Sequence, residues 1–146
     1  MVIKDFSSKT VFLDTAPLIY FIEGNNQYTN ILKQIFADND AGKFSFISTS
    51  VTLLEVLVKP LRDGDTLIAE FYKKVLLSAP GIEILEVSVG FAEKAALLRA
   101  EYNLKTPDAI QIATALATRC DFFLTHDKRL QAVSQIEIVT LDDIEL

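Results

Sequence analysis

Thr10-Val11-Phe12-Leu13-Asp14-Thr15-Ala16-Pro17 is the stretch that decides the architecture. Behind Thr10, the consecutive apolar residues Val11, Phe12 and Leu13 show no polar alternation, which predicts a strand buried on both faces, as in a parallel sheet. Asp14 ends that strand. Thr15 and Ala16 lead into Pro17, which suits a first helical turn because its missing N–H would have no acceptor there. The helix runs on through Leu18-Ile19-Tyr20-Phe21-Ile22 and stops near Gly24. A buried strand running straight into a helix is a βα unit.

The same alternation continues outward. Tyr28, Ile31, Leu32, Ile35 and Phe36 recur at helical spacing and predict a helix over residues 26–41. Residues 44–48 are a second strand. Thr49 or Ser50 can cap a helix over residues 51–59, which Pro60 is expected to break. Residues 66–77 form a further helix, and residues 82–87 an edge strand in which apolar positions alternate with Glu83 and Glu86. Helices are predicted over residues 88–103 and 107–118, the second capped by Thr106. A strand over residues 121–125, a short helix over 128–133, a strand over 136–139 and a loose tail over 141–146 complete the chain. Strands separated by helices imply right-handed crossovers. The predicted fold class is therefore α/β, with a mostly parallel central sheet of about five strands flanked by helices on both faces. At 146 residues the chain is expected to be a single domain over 1–146, with its core over about 10–140.

Composition narrows the function classes. Half the residues are hydrophobic, an excess that suggests apolar surface covered by a partner. No apolar run approaches the ~18–20 residues of a membrane span. Charges in Met1-Val2-Ile3-Lys4-Asp5 stand where a secretory leader would be apolar, so a cytoplasmic location and no membrane partner are expected. The one cysteine, Cys120, excludes an internal disulfide or thiolate cluster and reads as a small buried hydrophobe. A net charge of −6 argues against broad adhesion to nucleic acid, yet suits an enzyme whose clustered acids await a cation. Most basic residues, Arg99, Lys105, Lys128 and Arg129 among them, read as solvated surface charges. No glycine-rich phosphate loop is present.

Four acids stand out. In an open parallel sheet, ligands sit beyond the carboxyl ends of the strands. Asp14 ends the first strand, Asp127 lies two residues past Thr125, and Asp108 follows Thr106-Pro107 at a helix N-terminus. Glu55 interrupts Val51-Thr52-Leu53-Leu54-Glu55-Val56-Leu57-Val58, where burying a carboxylate is costly unless it is paired or coordinated. Each acid also has a capping reading, Glu55 through the Thr52-x-x-Glu55 spacing. Lys128 is the only obvious neutralising neighbour. Clustered carboxylates with no Cys or His cluster suit Mg²⁺ or Mn²⁺, which can orient a phosphodiester and activate a water. Thr15 and Thr125 are expected to hold the carboxylates in place. His126, the only histidine, reads as a surface or substrate-contact residue.

With these residues assembled, the chain resembles the PIN-domain nucleases, especially the VapC-like toxins of bacterial and archaeal toxin–antitoxin pairs. The matching elements are Val11-Phe12-Leu13-Asp14-Thr15, Glu55, Asp108-Ala109-Ile110-Gln111-Ile112-Ala113-Thr114-Ala115 and Phe123-Leu124-Thr125-His126-Asp127-Lys128-Arg129-Leu130. The resemblance implies Asp14, Glu55, Asp108 and Asp127 as catalytic and metal-binding residues around Mg²⁺ or Mn²⁺, cleaving single-stranded RNA. It further implies a homodimer and a small antitoxin protein that occupies the site. One departure stands out: many such toxins read Thr-x-Asn-x-x-Asp-Phe where this chain has Thr125-x-Asp127-x-x-Leu130-Gln131. Two rivals remain. One is a catalytically degenerate PIN-like binding or dimerisation module. The other is a haloacid-dehalogenase-type phosphatase, disfavoured because Ala16 stands where that class needs a second Asp.

Overall fold

The computed structural model describes residues 5–145. Residues 1–4, on which the leader reading rests, and Leu146, the last residue of the expected tail, lie outside the described residues. The elements run β1 (Thr10–Leu13), α1 (Thr15–Glu23), α2 (Thr29–Asp40), β2 (Ser45–Thr49), α3 (Ser50–Asp63), α4 (Thr66–Ser78) and β3 (Ile82–Leu85). They continue with α5 (Val89–Tyr102), α6 (Thr106–Ala117), β4 (Phe122–Thr125) and β5 (Glu137–Thr140), with 3₁₀ turns over Lys128–Ala132 and Leu141–Asp143. The five strands pair in the order β3-β2-β1-β4-β5, every pair parallel.

The central strand β1 sets both layers. Its pleat turns Val11 and Leu13 to a core shared with α1 to α4, where Leu18, Leu32, Val56, Tyr72 and Leu76 are buried. Phe12 turns the other way, into a core with Ala109, Ile112 and Ala113 of α6 and Leu98 of α5. Phe12 and its register partner Phe123 stack there at 5.0 Å. The chain builds outward from β1 through β2 to β3, then returns across the opposite face to place β4 and β5 on β1's other side. The reversal falls between β1 and β4, and at such a point the loops beyond the strand ends diverge to leave a crevice.

Several local expectations give way to the structure. Pro60 does not break α3. It lies in the last turn with its ring buried, costing one backbone donor, and the helix ends at Gly64, whose φ of 71° is the left-handed conformation that glycine tolerates. The start of α2 slips to Thr29 because Asn25 Oδ1 accepts the Gln27 N–H at 2.9 Å, holding that segment in a turn. Thr106 is the first helical residue of α6, not its cap; Lys105 occupies the cap position without a side-chain bond. The tail is anchored rather than loose. Leu141 and Ile144 are buried, and Asp143 Oδ2 accepts from the Thr140 N–H at 2.9 Å.

A buried polar network ties α3 to α6. Thr49 Oγ1 donates to Gln111 Oε1 at 2.6 Å, and Gln111 Nε2 donates to Thr52 Oγ1 at 2.6 Å. Ser48 Oγ lies 2.8 Å from Thr52 Oγ1 and 2.9 Å from the carbonyl of Leu13. All four side chains are essentially inaccessible to water. Thr52 sits one turn before Glu55, and Gln111 one turn after Asp108, so the network sets the spacing of the two helices that carry those acids. Gln111→Leu should leave the Thr49 and Thr52 hydroxyls without their partner, costing ~1–3 kcal/mol. Thermal denaturation should register this as a fall of roughly 3–10 °C. An unchanged melting temperature would mean that the network does not hold the helices together.

Candidate active site

Asp14 is positioned by the sheet itself. Its N–H donates to the Leu124 carbonyl at 3.0 Å, continuing the β1–β4 ladder one residue beyond β1. The carboxylate, 9% exposed, accepts a hydrogen bond from Thr125 Oγ1 at 2.8 Å, and that same oxygen accepts from the Asp127 N–H at 3.1 Å. Thr125 thereby joins the ends of β1 and β4. Thr15 Oγ1 donates to Glu55 Oε1 at 2.6 Å, joining α1 to α3. Asp108 comes from the first turn of α6, which must begin at this edge because the helix ends where β4 starts. Arg99 braces the preceding loop, with Nε donating to the Leu104 carbonyl at 2.8 Å and Nη1 to Thr106 Oγ1 at 3.0 Å. It remains exposed, as the sequence suggested, while these two bonds hold the loop.

All four acids line one open cleft of about 490 Å³ together with Thr15, Ala16, Ile19, Thr125, His126, Lys128 and Arg129. Their environments differ. Burial pushes the Asp14 carboxyl up to about 6; the Thr125 hydroxyl and Thr15 amide work against this, and the charges of Asp108 and Glu55 add to it. Asp108 is also raised, first by burial and then by Asp127 and Glu55, with Lys105 and Arg129 opposing. Asp127 is lowered, chiefly by its hydrogen bonds from Arg129. Arg129 Nε donates to Asp127 Oδ1 at 3.0 Å and Nη2 to Oδ2 at 2.7 Å, a two-pronged pair. The neutralising partner is thus Arg129 and not Lys128, whose ammonium pairs with Asp142 at 3.3 Å.

Glu55 also departs from expectation. It is exposed, as are Leu54 and Val58 beside it, so the stretch around it is apolar surface and no burial cost attaches to the carboxylate. The capping-box reading fails as well, since the cap of α3 is Thr49, which accepts from the Val51 N–H at 3.0 Å. His126 is half-buried at the cleft wall, edge-on to Tyr20 and Tyr28, with Nδ1 buried and unpartnered among the described residues. That Gln111 bonds to Thr49 and Thr52 escaped the sequence reading. The signal was a lone amide inside Ala109-Ile110-Gln111-Ile112-Ala113, a polar group that burial obliges to find partners.

The donor chemistry fits a hard divalent cation. Asp14 is a carboxyl raised first by burial and then by neighbouring acids, and no protein cation appears among the groups that shift it. Among the described residues, no three His, Cys, Asp or Glu side chains are drawn together into a metal cage. The arrangement suits an ion that keeps several waters and takes only one or two carboxylates directly, as Mg²⁺ does.

The PIN domain family model matches residues 11–136. Among solved structures, the chain is similar to a toxin–antitoxin complex from Klebsiella pneumoniae, at 26% identity and TM-score 0.69, covering 90% of this chain and 97% of that one. VapBC2 from Rickettsia felis, bound to a promoter DNA fragment, aligns at 15% identity and TM-score 0.73 over 90% of this chain and 98% of that one. The sarcin–ricin loop cleaving toxin VapC20 from Mycobacterium tuberculosis aligns at 16% and 0.69, over 84% and 93%. Among curated proteins none matches the sequence.

The raised Asp14 carboxyl has a stability consequence. The folded chain holds its proton up to about pH 6, whereas the unfolded chain loses it near 3.8. The folded state therefore binds more protons in that window, and stability falls as pH rises through it. Asp14→Asn keeps an acceptor for Thr125 but carries no charge. In the absence of divalent metal it should be more stable than the wild type at pH 7 by on the order of 3 kcal/mol, with the gap closing below pH 4. A gap that does not depend on pH would refute the assignment.

Proposed function

This chain belongs to the PIN-domain family, and on that premise we propose that it is a Mg²⁺- or Mn²⁺-dependent endoribonuclease acting on single-stranded RNA. The observation that carries the reading is the buried Asp14 carboxyl, raised to about 6 beside Asp108 and Glu55 with no cation of the protein's own. When bound, a divalent ion there supplies an acidified water and neutralises charge on the phosphodiester. Asp14, Glu55 and Asp108 would hold it, one or two of them directly and the rest through its waters, and Asp127 completes the acidic cleft. Thr125 holds the Asp14 carboxylate and Thr15 that of Glu55, fixing both before substrate arrives. The cleft is open on one side, which suits a strand laid across it.

We also propose that the chain is the toxin of a toxin–antitoxin pair, working as one domain in the cytoplasm, as a homodimer and with a small antitoxin as partner. The similar chain from Klebsiella pneumoniae comes from a toxin–antitoxin complex, and VapC20 is a sarcin–ricin loop cleaving toxin. The described helices include none long and apolar enough to cross a membrane. Leu54, Leu61, Leu67, Phe71 and Leu77 stand exposed on α3 and α4, an apolar surface of the kind that copies of a chain bury.

Purified protein should cleave labelled single-stranded RNAs in Mn²⁺ or Mg²⁺ and stop in EDTA. Asp108→Asn should lose about a hundredfold or more in rate while folding normally. Cleavage that survives either EDTA or the substitution would refute the metal-nuclease reading. Phosphate release from small esters would favour the phosphatase reading, and RNA binding without cleavage the degenerate module. Light scattering should give a dimer for the wild type and a monomer for Leu67→Asp. A wild-type monomer would refute the dimer.

A further inference from the structure

The cleft is electrostatically lopsided. No cation contributes to Asp14 at one end, whereas Lys105 and Arg129 both act on Asp108 and Asp127 at the other. Beyond Asp108 and Asp127 the cleft continues into a second hollow of about 160 Å³, walled by Asn103, Leu104, Lys105 and Arg129. Arg129 borders both hollows.

The Arg129–Asp127 pair is built with more care than an exposed ion pair repays. The Arg129 side chain is 75% exposed, so the pair adds ~0–1 kcal/mol to folding. Yet Asp127 Oδ1 also accepts the Arg129 N–H at 3.0 Å, so both carboxylate oxygens are committed to one residue. The contacts employ Nε and Nη2. Nη1 is left with no acceptor among the described residues. A guanidinium oriented on one edge and free at Nη1 is a preset donor for a phosphate oxygen.

We infer that Arg129, seconded by Lys105, is a phosphodiester-binding site for the RNA strand entering the cleft, and that Asp127 is a positioning residue that orients the Arg129 guanidinium rather than a ligand of the metal. This rests on the RNA reading above. The division of labour follows from the charge distribution. The divalent ion would be held on the side of Asp14, and the backbone phosphates would run from there towards Arg129 and Lys105. It also accounts for a chain of net charge −6 engaging a polyanion, because the basic residues that matter are at the rim of the cleft and not spread over the surface.

The test measures RNA and Mn²⁺ binding separately, on full-length protein. Fluorescence anisotropy of a labelled single-stranded RNA, in EDTA and over a range of NaCl, reports the phosphate contacts without cleavage. Arg129→Gln should bind about tenfold more weakly, with a salt slope shallower by about 0.7, and Arg129→Lys should recover part of the affinity. Asp127→Asn should also weaken RNA binding and raise KM more than it lowers kcat, while Mn²⁺ binding by calorimetry stays at the wild-type level. Unchanged RNA affinity and salt slope in Arg129→Gln would overturn the inference, as would loss of Mn²⁺ binding in Asp127→Asn. If the wild type binds RNA but never cleaves it, the nuclease reading fails while the Arg129 comparison still decides this one. If it binds no RNA, both fall.

Discussion

The hydrogen bond from Thr125 Oγ1 to the Asp14 carboxylate, 2.8 Å long and buried, is the contact on which the site depends. It joins the ends of the two parallel strands between which the strand order reverses, and it holds a carboxylate where burial opposes ionisation. A buried carboxyl with one hydroxyl donor, and like charges nearby, costs stability when ionised. Such an arrangement persists where the charge has a use. In the proposed reading that use is a divalent cation, whose arrival turns the unfavourable charge into a ligand.

The other acids are placed by different means, and the means match their environments. Asp108 depends on the loop that Arg99 braces and on the helix that Gln111 locks to α3 through Thr49 and Thr52. Glu55, exposed on α3, relies on Thr15 for its orientation. Asp127 depends on Arg129, whose hydrogen bonds hold its carboxyl below the ordinary range. Asp14, buried with no cation acting on it, and Asp127, already paired with Arg129, make an asymmetric cleft. That asymmetry fits a strand whose phosphates need positive charge on one side and a metal on the other.

Much of this was legible in the sequence because it depends on local pattern. Unbroken apolar runs such as Val11-Phe12-Leu13 mark strands buried on both faces, and each of the four acids sits at or near the strand edge that the βα alternation predicts. What was not legible depends on three-dimensional choices. A helix as apolar as α3 cannot tell which of its residues face inward, so Glu55 read as buried when it is exposed beside Leu54. Lys128 adjoins Asp127 in sequence, yet the 3₁₀ turn brings Arg129 to the carboxylate and sends Lys128 to Asp142. Pro60 read as a helix breaker because its burial in the last turn of α3 could not be foreseen.

The central claim is that Asp14 anchors a divalent-cation site, and calorimetric titration of Mn²⁺ into the protein tests it most directly. The account predicts saturable binding at pH 7.5 that weakens as the pH falls below about 6, where Asp14 takes up its proton. It also predicts that binding is lost in Asp14→Asn. Mn²⁺ binding that is indifferent to that substitution, or absent from the wild type at pH 7.5, would contradict it.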